Sequence, residues 1–371
     1  MGSKNKEKCE VCGKDTQITL AYGPHYFCEK HFCIFFEDRV KRTIRKYNLI
    51  KSKEKLLIAL SGGKDSTVVL FLMKKLYSKS NEIKALIIDE GVNGYREKAI
   101  VSATNNCKKL GVEYKVIEFK KEFGITNDEL MPLIMKNEKL GGTCSFCGTL
   151  RRNIMNKYAK KMKADKLITG HNLDDEVQSF VMNVFNNDFN KMKRMGANAG
   201  IIEHTGFVKR IKPLYETCEK EIIAYCAYNG IEHYSEECCP YSWTAKRNEY
   251  REMLNHFETR FPGTEYSILR FNENLKKEIK TRGKKQSESL HECKICNEPT
   301  EKELCKACEM IERIKKEKES KNKTKGNEKE NLINKTKESS KTELKENSKS
   351  KKHLEKYNKK LTCATTKGTC E

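Results

Sequence analysis

The chain has 371 residues, and 74 Lys and Arg against 52 Asp and Glu give it a net charge of +22. Residues 311–371 hold 19 basic and 10 acidic side chains, which leaves a net +13 on the rest of the chain. This basic body predicts a polyanionic partner, with nucleic acid ahead of a membrane surface. No stretch approaches the roughly 18 apolar residues of a membrane span, and the start of the chain lacks the apolar segment of a signal peptide, so we expect a cytoplasmic protein.

A first metal motif lies near the N-terminus, where Cys9 and Cys12 are followed by Cys28 and His31. In a reducing compartment, the 17 cysteines of this chain favour metal sites and reactive thiols over disulfides. Two ligand pairs at this spacing are typical of a structural tetrahedral zinc site. The alternative is a set of unpaired thiols in an irregular segment. We therefore predict a zinc finger over residues 1–32.

A helix with one apolar and one basic face should follow, and residues 33–54 are predicted as a basic connecting segment. Its basic face either follows phosphates or is simply solvated. From residue 55 strands alternate with helices, which predicts an α/β fold with a doubly wound, mainly parallel sheet over 55–275. The predicted strands are 56–60, 85–89, 114–119, 166–169 and 207–214. The predicted helices are 65–78, 95–110, 149–163, 173–187 and 218–229.

The first predicted strand ends in the loop Ser61-Gly62-Gly63-Lys64-Asp65-Ser66, and an amphipathic helix begins there. Two adjacent glycines let backbone N–H groups approach an anion, and the helix directs its positive dipole end at the same point. The serine hydroxyls and Lys64 add donors, and Asp65 adds a carboxylate able to hold Mg²⁺. The spacing is not that of a Walker A loop. We predict a pyrophosphate cradle; the alternative is an ordinary glycine-containing turn.

Two further polar segments, Asp89-Glu90-Gly91 and Gly170-His171-Asn172, follow predicted strands. Ligands of parallel sheets bind beyond the carboxyl ends of the strands, so both segments should face the loop. Asp174 and Asp175 open the next helix, where acidic side chains often only complement the helix dipole. Beside a nucleotide loop they are also candidates for Mg²⁺ binding or proton transfer.

Two cysteine motifs in the middle of the chain are less specific. Cys144 and Cys147 form a lone C-x-x-C pair, which suits zinc, a redox dithiol or an iron–sulfur centre equally well. Further on, the doublet Cys238-Cys239 precedes Pro240. Three cysteines that face one cleft could hold an iron–sulfur cluster with one iron left open.

Near the C-terminus, two complete C-x-x-C pairs predict a zinc ribbon, which with its linker spans residues 276–310. The four predicted ligands are Cys293, Cys296, Cys305 and Cys308. Residues 311–371 contain mainly Lys, Glu, Asn and Ser with few apolar side chains. Such a segment buries too little apolar surface to offset the entropy of ordering, so we expect a disordered tail.

Taken in order, these motifs resemble the tRNA 2-thiouridine synthetases, which are PP-loop ATP pyrophosphatases that include the TtuA group and the wobble-uridine thiolases of archaea and eukaryotes. The resemblance runs from about residue 7 to residue 310. Besides the two zinc motifs and the 61–66 loop, it includes Asp89–Tyr95, Cys144–Gly148 with Arg151-Arg152, Thr169–Glu176, and Glu237 with Cys239-Pro240-Tyr241. The order of these motifs along the chain, more than any one of them, makes the resemblance specific.

The resemblance implies a two-step reaction. ATP adenylates O2 of a tRNA uridine and releases pyrophosphate, and sulfur then displaces AMP to leave 2-thiouridine. It implies ATP and Mg²⁺ in the loop, with nucleotide contacts from Ser61, Gly62, Gly63, Lys64, Asp65, Ser66, Asp89, Gly170, His171 and Asp174. The implied catalytic residues are Asp65, Asp175, Arg151, Cys144, Cys147 and Cys239.

The same resemblance implies a 4Fe–4S cluster on Cys144, Cys147 and Cys239, with the fourth iron free to bind hydrosulfide. Cys239 is chosen because it directly precedes Pro240, although Cys238 could replace it. It further implies a homodimer and a sulfur donor that is a ubiquitin-like protein thiocarboxylate or sulfide.

The modified position is less determined by the motifs. Tyr241-Ser242 and Ala245-x-Arg247 favour the wobble uridine. The enzymatic alternatives are thiolation of a T-loop uridine or of cytidine, or a persulfide relay without a cluster. An alternative of another class is a zinc-bearing tRNA-binding scaffold without catalysis.

Overall fold

The computed structural model describes residues 7–137, 142–199, 206–235, 239–282 and 290–319. Cys238 and Glu237, much of the predicted linker, and the predicted tail beyond residue 319 lie outside these residues. The chain divides into a compact unit that ends at Ile311 and a second unit that begins at Glu312. Of the second unit, residues 312–319 are described and are helical.

The strands and helices follow the predicted alternation. The strands are β1 (Ile18–Leu20), β2 (His25–Phe27), β3 (Lys55–Ala59), β4 (Glu82–Asp89), β5 (Glu113–Glu118), β6 (Lys166–Ile168), β7 (Asn198–Ala199), β8 (Lys209–Ile211), β9 (His291–Glu292) and β10 (Pro299–Thr300). The helices are α1 (Glu29–Lys46), α2 (Lys64–Tyr77), α3 (Arg96–Leu110), α4 (Phe119–Phe123), α5 (Asn127–Lys136), α6 (Thr143–Lys161), α7 (Leu173–Phe185), α8 (Phe189–Lys193), α9 (Glu219–Tyr228), α10 (Arg247–Arg260), α11 (Thr264–Arg282) and α12 (306–319).

A six-stranded sheet with the order β5-β4-β3-β6-β8-β7 forms the centre of the fold. Five of its strands are parallel, and the short edge strand β7 pairs antiparallel with β8. The predicted doubly wound, mainly parallel sheet is therefore confirmed. The fifth predicted strand is shorter than the 207–214 expected, and β7 was not predicted because two residues carry no periodicity.

Both faces of the sheet are covered, as the continuous apolar runs of its strands require. Leu56 and Ile58 of β3 point into a core that is shared with α1, α2, α3 and α9. Leu57, between them, points to the opposite face, where it packs with Leu150 and Ile154 of α6. This alternation places α6 on the face of the sheet opposite to α1, α2, α3 and α9.

The flanking cysteine modules are built onto helices that cross the predicted domain boundaries. His31 lies on α1, which begins at Glu29, so the first motif and the connecting helix share one element. At the other end α11 continues past residue 275 to Arg282, and α12 spans the predicted start of the disordered tail at residue 311. Residues 311–319 are thus helical, which agrees with the high helix propensity of Lys and Glu. Among the described helices, none combines the length and apolarity that crossing a membrane requires.

Candidate active site

The predicted phosphate loop joins β3 to α2 at the carboxyl edge of the sheet. Gly62 has a φ of +94°, and a Cβ on it would lie 2.1 Å from the Ala99 carbonyl oxygen, so only glycine fits here. Ser66 Oγ accepts from Ser61 N at 3.1 Å and lies 2.9 Å from Ser61 Oγ. Gly63 caps α2 without any side-chain hydrogen bond, which leaves the first N–H groups of the helix available to an anion.

Two charged groups of the loop are held by neighbouring helices. Lys64 Nζ lies 2.5 Å from Glu219 Oε1 and 3.4 Å from Asp65 Oδ2. Burial lowers the pKa of Lys64, but the two carboxylates outweigh this effect and raise it, so the lysine stays a cation. Burial raises the pKa of Asp65, whose Oδ1 accepts from Asn172 Nδ2 at 3.0 Å. The loop therefore offers a fixed cation and a carboxylate side by side.

The segment after β6 packs directly on this loop. A Cβ on Gly170 would lie 2.7 Å from Ser66 N, so this position also requires glycine. Asn172 and Asp175 form a capping box at the start of α7, and Asp175 Oδ1 is 3.0 Å from Arg247 NH2. Asp175 thus has a structural role in the capping box, with its second oxygen paired to a cation.

Asp174 belongs to a buried cluster that the sequence did not reveal. Ligand atoms of Asp174, Cys218 and Glu265 lie within 4.8 Å of one another. Burial raises the pKa of Asp174 to about 6 and that of Glu265 to about 8, so the two carboxyl groups hold a proton near neutral pH. The structure thus places the Cys218 thiol beside two carboxyl groups.

His171 lies against a group of cations at the same edge. Its Nδ1 is 2.9 Å from Thr169 Oγ1. Burial lowers the pKa of His171 far below its usual value, and Lys212, Arg210, Arg247 and Arg151 add to this shift. The imidazole is therefore neutral at physiological pH and can act as a hydrogen-bond donor or acceptor rather than as a charge.

The three predicted cluster cysteines meet in one pocket. Cys144 and Cys147 lie three residues apart on the first turns of α6, and Cys239 precedes the short 3₁₀ helix Ser242–Thr244. Burial raises the pKa of Cys147 to about 11, which Arg151 opposes and which negative charge on Cys239 and Cys144 reinforces. The pKa of Cys239 is likewise raised by burial and by Cys144. These shifts show that the thiols are close enough to interact electrostatically.

The arrangement of these thiols differs from that of a mononuclear site. Within the described part of the chain, they belong to no set of ligand atoms that all lie within 4.8 Å of one another. A wider spacing suits a polynuclear centre, in which each cysteine binds a different iron. Because burial raises the pKa of Cys147 and Cys239, a metal centre that replaces their protons would relieve this penalty. The donor set therefore fits an iron–sulfur cluster.

A chain of polar contacts joins the thiol pocket to the phosphate loop. Glu90 lies 2.6 Å from Arg96 Nε and 3.6 Å from Arg151 NH1. Arg96 NH1 also donates to the Ser61 carbonyl oxygen at 2.6 Å. On the other side of the loop, Tyr234 N donates to Gly62 O at 2.9 Å, five residues before Cys239 along the chain. The nucleotide loop and the thiols therefore share one edge of the sheet.

Glu90 and Arg96 are the residues of this site that sequence reasoning missed. Only 7% of Glu90 and 4% of Arg96 is exposed to solvent. The weak sequence signal was an arginine at the first position of a helix, where acidic residues are favoured. Asp89, predicted as a nucleotide ligand, accepts from Gly91 N at 2.8 Å, and this contact shapes the turn after β4.

Both predicted zinc motifs come together in space. In the first set, His31 Nδ1 lies 3.5 Å from Cys9 Sγ and 3.3 Å from Cys28 Sγ. In the second set, Cys296 Sγ and Cys305 Sγ are 3.5 Å apart. Ligand atoms of all four residues in each set lie within 4.8 Å of one another. Each set could therefore hold one metal ion, and the predicted ion is zinc.

Replacing Cys293 with serine should remove one zinc ion per chain, because the buried Cys293 is one of only four thiols in its set. Elemental analysis by inductively coupled plasma mass spectrometry after gel filtration would measure this loss. The control is Cys33→Ser, a half-buried thiol outside both sets. Equal zinc in the Cys293→Ser variant and the parent would contradict the assignment.

Known proteins with similar sequences and structures identify the family of the chain. Residues 35–257 match the PP-loop domain family. The chain is 35% identical over 304 residues to a tRNA-5-methyluridine(54) 2-sulfurtransferase of Pyrococcus horikoshii, covering 82% of this chain and 93% of that protein. It is 32% identical over 308 residues to cytoplasmic tRNA 2-thiolation protein 1 of Caenorhabditis briggsae, covering 82% of this chain and 79% of that protein.

A solved structure is similar over a comparable length. The U34-tRNA thiolase NcsA from Methanococcus maripaludis, solved with its 4Fe–4S cluster, is 32% identical and superposes with a TM-score of 0.71. The match covers 82% of this chain and 96% of that one. The family match, the sequence relatives and this structure agree with the motif order of the sequence. The chain therefore belongs to the PP-loop family, among the tRNA 2-thiolation proteins.

Proposed function

We propose that the chain is an ATP-dependent tRNA sulfurtransferase that adenylates O2 of a tRNA uridine and replaces that oxygen with sulfur. The observation that carries this proposal is the joining of the Ser61–Ser66 loop to the thiol pocket through Arg96, Glu90 and Arg151. A uridine bound between them would face the nucleotide on one side and the sulfur centre on the other. Both half-reactions need that arrangement.

In the first half-reaction, charge accumulates on the leaving pyrophosphate. The uncapped N–H groups of α2 and the cation of Lys64 are placed to bind that charge. Asp65 is our candidate ligand for Mg²⁺, since it lies beside Lys64 and its carboxylate is held by Asn172. Neutral His171 can hydrogen-bond to the reacting groups without adding charge, while Arg151 supplies a cation for the phosphate that stays on the uridine.

In the second half-reaction, we propose that Cys144, Cys147 and Cys239 hold a 4Fe–4S cluster, as their spacing and burial permit. Such a cluster, when bound, would supply an open iron that activates the incoming sulfur. Arg151 favours the ligating form of Cys147, because its positive charge opposes the rise in pKa that burial causes.

The relatives act on different uridines, since the P. horikoshii protein is named for position 54 and the M. maripaludis protein for position 34. We propose the wobble uridine for this chain. Tyr241 and Arg247, which favour this assignment, are both fixed at the site: Tyr241 OH donates to Asp128 at 2.6 Å, and Arg247 pairs with Asp175. We further propose a ubiquitin-like thiocarboxylate or sulfide as donor, a homodimeric state and a cytoplasmic location, as one relative is named cytoplasmic.

Anaerobically purified protein, ATP, sulfide and unmodified tRNA transcripts would test this proposal. We expect pyrophosphate release that depends on tRNA, and 2-thiouridine by mass spectrometry of the digested tRNA. A transcript with cytidine at position 34 should lose both products, and one with cytidine at position 54 should retain them. The opposite pattern would move the site to the T-loop. Absence of pyrophosphate with every transcript would leave a tRNA-binding scaffold.

A further inference from the structure

Two arginines, Arg152 and Arg210, lie on neighbouring elements near the active-site edge. Arg152 lies on α6, and its guanidinium folds back over the first turns of this helix, where NH2 donates to Thr149 Oγ1 at 3.2 Å. Arg210 lies on β8, in register with Leu167 of β6, and Leu167 packs against α6. Paired residues of neighbouring strands share a face of the sheet, so Arg210 lies on the face that α6 covers. Arg210 adds to the lowering of the pKa of Arg152 that burial causes, as a nearby cation does.

Arg210 has no partner for its donors in the described part of the chain. Its Nε is inaccessible to solvent and makes no hydrogen bond, and among the described residues no carboxylate lies within ion-pair distance of its guanidinium. The nearest acid, Glu176, is already paired with Lys212 at 2.5 Å. An arginine has five N–H donors and keeps its charge, so leaving them unpaired at a half-buried site is costly. This cost indicates a ligand.

The chemistry of the missing partner follows from its position. The phosphate loop already has its own cation in Lys64, which is paired with Glu219 and Asp65. A Cβ on Gly148 would lie 3.3 Å from Arg152 NH1, and Gly148 directly follows Cys147, so Arg152 lies on the thiol side of the site. The tRNA chain must enter on this side if its uridine is to reach both the phosphate loop and the three cysteines. A guanidinium matches the oxygens of a phosphodiester through two parallel hydrogen bonds.

We propose that Arg152 and Arg210 together bind one backbone phosphate of the tRNA next to the uridine that is modified. This inference rests on the proposed function, because it takes tRNA as the substrate. The contact fixes the register of the nucleotide in the site and carries no sequence information. Arg152 and Arg210 are thus positioning residues.

Fluorescence anisotropy with a labelled tRNA transcript at several NaCl concentrations tests the proposal without turnover. Arg210→Gln should weaken binding about tenfold and reduce the slope of log K against log salt by about 1. Lys209→Gln is the matched control, since Lys209 is the exposed neighbour on the same strand and loses the same charge. Lys209→Gln should leave the salt slope within error of the parent value. ATP binding should be unchanged in both variants.

Two further measurements separate a ligand site from a structural one. Arg210→Gln should unfold at the same temperature as the parent or higher, because it removes a cation that has no partner. The double variant with Arg152→Gln and Arg210→Gln should lose no more affinity for tRNA than either single variant, because the two arginines bind the same phosphate.

An unchanged salt slope, a lowered unfolding temperature or a loss of bound iron in Arg210→Gln would each overturn the inference. Failure of the proposed function is seen separately, as absent pyrophosphate release in the parent protein. The anisotropy experiment still reports on the arginine pair in that case.

Discussion

Gly62→Ala should abolish tRNA-dependent pyrophosphate release and lower the free energy of unfolding by about 3 kcal/mol. The new Cβ would lie 2.1 Å from the Ala99 carbonyl oxygen and 2.9 Å from its carbon, and φ at this position is +94°. Neither side can move freely, since α3, which carries Ala99, also supplies the Arg96 that donates to Ser61 O. The loop would have to open, and its N–H groups would no longer converge on a phosphate.

Gly124→Ala separates the two causes of this expected loss. Gly124 has a φ of +71°, but nothing lies within 4 Å of the position its Cβ would take. Gly124→Ala should therefore lower the free energy of unfolding by about 1 kcal/mol, which is the cost of the left-handed backbone alone. Its pyrophosphate release should equal that of the parent. Urea unfolding and a coupled pyrophosphate assay would measure both variants. Equal destabilisation of the two, or parental activity in Gly62→Ala, would refute the close packing of the loop on α3.

The phosphate loop was predictable because its signal is local. Two glycines between an apolar strand and an amphipathic helix determine both the turn and the direction of the helix dipole. The same holds for the segment after β6, where the close contact between Gly170 and Ser66 N explains why a glycine ends that strand. Parallel pairing then brings both segments to one edge, as the continuous apolar runs of the strands required.

The contacts that join the two halves of the site were not predictable in the same way. Glu90 and Arg151 are 61 positions apart along the chain, and no periodicity records their pairing. Arg210 was read only as part of a strand, because its lack of a partner becomes visible only after the neighbouring acids have been assigned to other cations. α11 likewise crosses the predicted boundary at residue 275 and ends at Arg282.

Alanine at Cys144, Cys147 or Cys239 should abolish 2-thiouridine formation while tRNA-dependent pyrophosphate release stays within about twofold of the parent value. The two half-reactions use different groups: adenylation needs the loop and its cations, whereas sulfur insertion needs the thiols. Arg151 and Glu90 remain in place in each variant, so the nucleotide side keeps its contacts. Product analysis by mass spectrometry, the iron content and the pyrophosphate assay should be measured on the same anaerobic samples.

The control for this series is Cys33→Ala, which removes a thiol that contacts Asn229 outside the pocket and should preserve both products and iron. Cys238→Ala tests the choice between the adjacent cysteines: if Cys239 is the ligand, only Cys239→Ala loses iron. Full thiolation in Cys144→Ala or Cys147→Ala would refute the role of the pocket in sulfur transfer. Parallel loss of pyrophosphate release and thiolation in all three variants would instead make the thiol centre a structural support of the site, since a group used only in the second half-reaction cannot slow the first.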